Sequence, residues 1–241
     1  MTVAERVAAV RARIAEAAAR AGRSPDEVTL VAVSKSVPVA AMREAYAAGI
    51  RDFGENRAQE ARDKFAAFGP DVRWHFVGRL QTNKVKYIAR HCHLLHSLDR
   101  LALAQEVDRR ATRCGRVLPC LLEVNVAGEA TKAGVPPERV IPLLQQLAGL
   151  PGLRVVGLMT VAPRAADPEQ VRPVFRRLRE LARQAAERCQ GLPGIELRHL
   201  SMGMTDDFEV AVEEGATIVR IGRAIFGERP REAGGGPRPG A

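Results

Sequence analysis

Aromatic residues make up only 4% of this 241-residue chain, and lysine is scarce: of 37 basic residues, only Lys35, Lys64, Lys84, Lys86 and Lys132 are lysines. The shortage of aromatics argues against a nucleic-acid groove built on base stacking, although the net charge is +9. The arginines are mixed with glutamates along helical stretches such as VFRRLRELARQAAERC and form no continuous basic run. No apolar stretch approaches the roughly 20 residues of a membrane helix. The opening segment MTVAERVAAVRARIAEAAARAGRS carries charges throughout and no apolar leader core, so it reads as an amphipathic helix. Cys92, Cys114, Cys120 and Cys189 form no CxxC pair, and reduced thiols in a cytoplasmic protein are expected. His91, Cys92, His93 and His96 lie close together, but alternation along a strand points them to different faces, against a zinc site. No GxGxxG turn follows the first β-branched run, which counts against an open dinucleotide-binding sheet.

What the chain does have is alternation. Short β-branched runs at 28–34, 52–55, 73–78, 93–98, 118–126, 154–161, 195–201 and 217–222 are separated by Ala/Leu/Arg/Glu-rich segments at 38–49, 56–67, 81–91, 99–114, 136–148, 168–189 and 205–214. Strict strand–helix alternation means a parallel sheet with crossover helices, and eight units in this length close a barrel. The expected fold is a single (β/α)8 barrel over residues 1–228 with an extra N-terminal helix. The Gly/Pro-rich tail 229–241 is expected to be disordered.

In such barrels chemistry collects at the carboxyl ends of the strands. There the sequence places Lys35, Asn56, Met159, Ser201, Gly203, Gly222 and Arg223, with His75 and Arg220 inside their strands. The loops LSMGMTDD and RIGRA each open a helix and offer backbone N–H groups to an anion, or else the glycines only make tight turns. Lys35 ends the apolar run VTLVAVS in a chain that otherwise uses arginine for charge. An amine can lose its proton and attack a carbonyl, which a guanidinium cannot; the alternative is a lysine snorkelling from the rim. Arg220 lies in the apolar run TIVRIG and needs an acceptor if it faces inward; a pyridine nitrogen would serve.

The motifs VAVSKSVP, RDFGENRAQEARDKF, WHFVGRLQTNKVK, LLEVNVAGEATKAG, GLMT and LSMGMTDDFEVAVEEGATIVRIGRAIFG resemble the pyridoxal-phosphate homeostasis protein family across about residues 3 to 228. Members of that family are similar to the barrel domain of alanine racemase. The resemblance implies pyridoxal 5′-phosphate as cofactor, held as a Schiff base on Lys35, with Arg220 facing the pyridine nitrogen. It implies that Ser201 and the Gly222–Arg223 turn hold the phosphate, and that Asn56 and His75 lie near the cofactor; Met159 is then read as packing around the ring and Gly203 as part of the anion-binding loop. Three positions depart from the usual pattern: Arg57 where tyrosine follows GEN, Thr205 for serine, and Arg223 for a hydroxyl residue. The phosphate contact at Arg223 is then a charge-assisted bond or the backbone N–H alone. The function implied is intracellular vitamin B6 homeostasis with little catalysis; an amino-acid racemase is the alternative. An arginine-paired ring is a weak electron sink, and the chain stops soon after strand eight, where the racemase continues into a second domain supplying a base. The expected partners are the cofactor and the apo-enzymes that depend on it, in a cytoplasmic monomer or weak dimer.

Overall fold

The β-branched runs become eight parallel strands in the computed structural model, which describes residues 1–129 and 131–228. They are β1 (Thr29–Val33), β2 (Asp52–Glu55), β3 (Arg73–Phe76), β4 (Cys92–Leu98), β5 (Leu118–Glu123), β6 (Leu153–Met159), β7 (Ile195–Ser201) and β8 (Ile218–Ile221). Each pairs with the next, and β8 returns to β1 with Arg220 opposite Val31, closing the barrel. The helices are α1 (Val3–Arg20), α2 (Val39–Ala47), α3 (Ala58–Phe65), α4 (Val85–Ile88), α5 (Leu101–Arg113), α6 (Val140–Leu147), α7 (Arg172–Arg188), α8 (Phe208–Glu213) and α9 (Arg223–Phe226). The expected tail at 229–241 lies outside the described residues.

Strand alternation divides the apolar residues into two cores. Val31, Leu94, Leu121, Val156, Met159 and Ile218 pack together inside the barrel. Their chain neighbours, such as Ala32, Leu95, Leu122 and Val219, pack in the larger core between sheet and helices.

Several helices are shorter than the sequence pattern suggests, because their first residues wind as 3-10 turns at 82–84, 137–139 and 168–171. Two of those turns open on proline, whose fixed φ and missing N–H suit a helix start. The helix expected from residue 205 begins at Phe208. Asp207 turns its carboxylate back to accept the Met204 N–H at 2.6 Å, and Asp206 pairs with Arg223.

A capping box of Thr2 and Glu5 starts α1, whose apolar stripe Val7, Val10, Ile14, Ala17 and Ala18 packs over α2, α8 and α9. Arg13 forks onto Glu209 at 3.0 and 2.9 Å while lying over the Phe208 ring. Arg23 donates to the carbonyls of Val212 and Ala216 at 2.8 and 3.0 Å. The extra helix thus covers the place where the barrel closes.

Candidate functional site

Lys35 leaves β1 in a turn that is bound on three sides. Ser34 donates its hydroxyl to Glu55 Oε1 (2.6 Å), the Ser34 carbonyl accepts from Lys64 Nζ (2.8 Å), and the Ser36 N–H donates to Glu60 Oε1 (2.6 Å). Lys64 also donates to Glu55 (2.8 Å) and Glu60 (2.7 Å), so an ammonium with three protons meets three acceptors. Lys64 is 7% exposed and Glu55 1%. Burial raises the Glu55 carboxyl above its ordinary value, opposed by the Lys64 ammonium and the Ser34 hydroxyl. The clamp holds Ser36 in the left-handed region at φ 57°, which a non-glycine residue seldom adopts. Among the described residues the Lys35 amine itself meets no hydrogen-bond or ion-pair partner.

Arg220 is 5% exposed inside the barrel. Nη1 donates to Ser201 Oγ at 2.6 Å and Nη2 to the Thr160 carbonyl at 2.9 Å. Thr160 is fixed in turn, its hydroxyl donating to the Val124 carbonyl at 2.8 Å. Among the described residues no carboxylate touches the guanidinium. Burial brings its pKa down to about 10 against the opposing pull of Glu123 and Asp207. A guanidinium has five N–H donors, so further donors stay in reserve.

Ser201 also meets His96 Nδ1 (2.9 Å), His96 Nε2 meets His75 Nδ1 (2.9 Å), and His75 Nε2 meets Asp52 Oδ1 (2.9 Å). His75 therefore reaches the site only through His96 and Ser201. Burial pushes Asp52 up, but the His75 and Arg73 hydrogen bonds outweigh it and hold the carboxyl at about 2.

The loops after β7 and β8 approach each other at the carboxyl rim. Thr205 Oγ1 lies 3.5 Å from the Ala224 nitrogen at the start of α9, and Arg220 N–H donates to the Gly203 carbonyl at 3.0 Å. Gly203 has φ 92°, and a Cβ there would stand 2.7 Å from the Ala211 Cβ, so only glycine fits this loop. Gly222 caps α9, and the Arg223 side chain extends away to Asp206 and Glu228. Across the rim, Gly78 lets the Asn56 backbone come close: a Cβ would stand 2.4 Å from the Asn56 carbonyl oxygen. Asn56 Oδ1 is buried without a partner. Met159, the last residue of β6, packs in the inner core. Glu123 ends β5 with its pKa raised to about 7 by burial and by Asp99, against Arg220 and Arg79.

Residues 6–230 match the family described as alanine racemase, N-terminal domain. The pyridoxal phosphate homeostasis protein of Aquifex aeolicus is 50% identical over 230 residues, covering 95% of this chain and 99% of the relative. The chain belongs to the pyridoxal phosphate homeostasis protein family. Among solved structures, an unknown protein from Bifidobacterium adolescentis is similar with a TM-score of 0.87 at 35% identity, covering 93% of this chain and 94% of that one. PipY of Synechococcus elongatus, solved with pyridoxal phosphate bound, has a TM-score of 0.80 at 40% identity, covering 94% of this chain and all (100%) of that one.

Within this family barrel, the residues singled out in the sequence fall into three sets. Lys35, Asn56, Gly203, Gly222 and Arg223 lie at the carboxyl rim or the turns leading from it. Arg220 and Ser201 are bonded to each other inside the barrel. His75 and Met159 are buried, enclosed by polar and apolar neighbours respectively, with Met159 level with Ser201 at the end of β6. The sequence reading passed over Lys64, Thr160 and the part His96 plays. Lys64 carried a signal, since it is one of only five lysines. His96 shares an inward row with Leu94, two residues before it.

Proposed function

We propose that this chain holds pyridoxal 5′-phosphate covalently on Lys35 and acts in intracellular vitamin B6 homeostasis with little turnover of its own. The carrying observation is the pair formed across the barrel closure: the amine of Lys35 after β1, unpartnered among the described residues, and the buried guanidinium of Arg220 on β8 with donors in reserve. The orphaned Asn56 Oδ1 fits the same reading, because a buried acceptor without a partner costs stability unless a ligand or water supplies a donor. So does the cofactor held by PipY.

Bound there, the group would supply an electrophilic aldehyde and an electron-withdrawing ring. Arg220 would donate to the ring nitrogen and keep its proton, since even at about 10 its pKa stays above neutrality. The backbone at Gly222–Arg223, with the Thr205 hydroxyl beside it, would take the phosphate at the start of α9. Because the Arg223 side chain is engaged by Asp206, the contact falls to its backbone N–H. A ring nitrogen facing a cation that keeps its proton withdraws electrons weakly, which favours holding the cofactor over carbanion chemistry. The reading carries with it a cytoplasmic setting, a monomer or weak dimer, and apo-enzymes that take up the cofactor.

The test is borohydride reduction of the loaded protein followed by intact mass and peptide mapping. The expected result is one cofactor mass per chain, on Lys35. A mass on another lysine, or none, overturns the site. A turnover assay over the proteinogenic amino acids is expected to stay far below the roughly 10 per second typical of enzymes. Reaching that rate promotes the racemase reading.

A further inference from the structure

A file of buried polar groups runs through the barrel from β8 to β2: Arg220, Ser201, His96, His75 and Asp52, linked at 2.6, 2.9, 2.9 and 2.9 Å. All five are buried. The two ends set a direction, because a guanidinium only donates and a carboxylate only accepts. With both rings neutral, one arrangement satisfies every link. Arg220 donates to Ser201, Ser201 to His96 Nδ1, His96 Nε2–H to His75 Nδ1, and His75 Nε2–H to Asp52. A doubly protonated His75 would donate from Nδ1 to His96 Nε2 and so reverse both His96 contacts. Burial above all, with the Arg220 charge adding to it, holds His96 well below its ordinary value, so that ring stays neutral.

Two consequences follow for the site. The Ser201 proton is committed to His96, so this hydroxyl has none to offer a phosphate. The guanidinium is pinned at two points, Ser201 Oγ and the Thr160 carbonyl, which fixes its plane and the direction of its unused N–H groups. We propose that His75 and His96 are positioning residues for Arg220, acting through Ser201 to hold the guanidinium in the plane from which it meets the cofactor ring. Only the last clause rests on the cofactor reading; the chain itself is a property of the free protein.

Nitrogen-15 spectra of the cofactor-free wild-type protein test the chain directly. Both rings are expected to carry hydrogen on Nε2 and none on Nδ1, and Arg220 is expected to show separate, slowly exchanging Nη signals. Hydrogen on either Nδ1, or a freely rotating guanidinium, overturns the proposal. His96→Gln and His96→Leu supply the second arm. A glutamine amide can accept from Ser201 and donate to His75; leucine can do neither. His96→Leu should merge the Arg220 Nη signals and speed pyridoxal phosphate release by about tenfold, while His96→Gln retains both properties. A folded His96→Leu protein with wild-type Arg220 signals overturns the positioning role, as does an equal loss in both variants. If His96→Leu does not fold, Ser201→Ala cuts the chain beside Arg220 and takes the same readings. A wild-type protein that takes up no pyridoxal phosphate sinks the cofactor reading, and its nitrogen spectra still decide the chain.

Discussion

Two buried cations flank the barrel closure, and they are treated differently. Lys64 lies in the helix layer with all three protons spent, two of them on carboxylates in direct contact. Arg220 lies inside the barrel with neutral oxygens on two of its donors; it reaches Asp52 only through three intervening side chains. A compact, fully matched ammonium is a structural pin. A guanidinium with donors in reserve and no contacting carboxylate among the described residues can still take up a further acceptor. The difference locates function better than burial does, since both groups are equally hidden.

The comparison breaks most sharply at Lys64. Lys64→Met should cost about 3 to 5 kcal/mol near neutral pH, because Glu55 and Glu60 are left facing each other around a buried void of charge. Urea unfolding measures it. The deficit should shrink in acid as the carboxylates take up protons; an equal loss at both pH values would mean that packing, not charge, is responsible. Arg220→Gln should leave the fold intact but weaken cofactor retention by about 1 to 2 kcal/mol, the scale of a hydrogen bond to a charged group. Dialysis followed by absorbance reads it, and unchanged retention would place the ring away from Arg220.

A third test concerns Glu123, the carboxylate whose field both opposes and depends on Arg220. Its folded value of about 7 lies above the ordinary 4.5. Between those values the native state holds more protons than the unfolded chain, so stability is lost as pH rises through that window. Glu123→Gln should flatten this fall, worth about 1 kcal/mol after allowing for solvent screening. Asp52, held at about 2, contributes the opposite slope at lower pH and leaves that window untouched. The smallest effect on stability belongs to Lys35→Ala. An amine without a partner among the described residues should be removable within about 0.5 kcal/mol, while covalent cofactor attachment should be lost entirely. Thermal melts beside borohydride mass analysis separate the two outcomes.

The barrel was legible because alternation is repeated eight times, and β2 and β7 fall on the residues that periodicity marks. Helix starts were less legible, since the 3-10 turns at 82–84, 137–139 and 168–171 share the composition of the helices they precede. Lys35 and Arg220 stood out as charges inside apolar runs. Lys64 did not, because Glu60 and Lys64 at i, i+4 look like an ordinary exposed helix pair. The Ser201–His96 bond joins residues 105 positions apart, and one-dimensional spacing carries no sign of it. Alternation can say that both point inward; only the closed barrel brings them within 2.9 Å.

The way α1 covers the barrel closure bears on how the chain is made. Its bonds to the last units, Arg13 to Glu209 and Arg20 to Glu213, span 196 and 193 residues of sequence. At roughly 5 to 20 residues per second, the ribosome leaves that apolar stripe without its final cover for tens of seconds after α1 emerges. The first helix synthesised is thus among the last to dock, and contacts of such long range slow folding. Ribosome-stalled chains ending before β8 should therefore leave the α1 amides open to exchange and its apolar face open to chaperones, and release of the full-length chain should close both together.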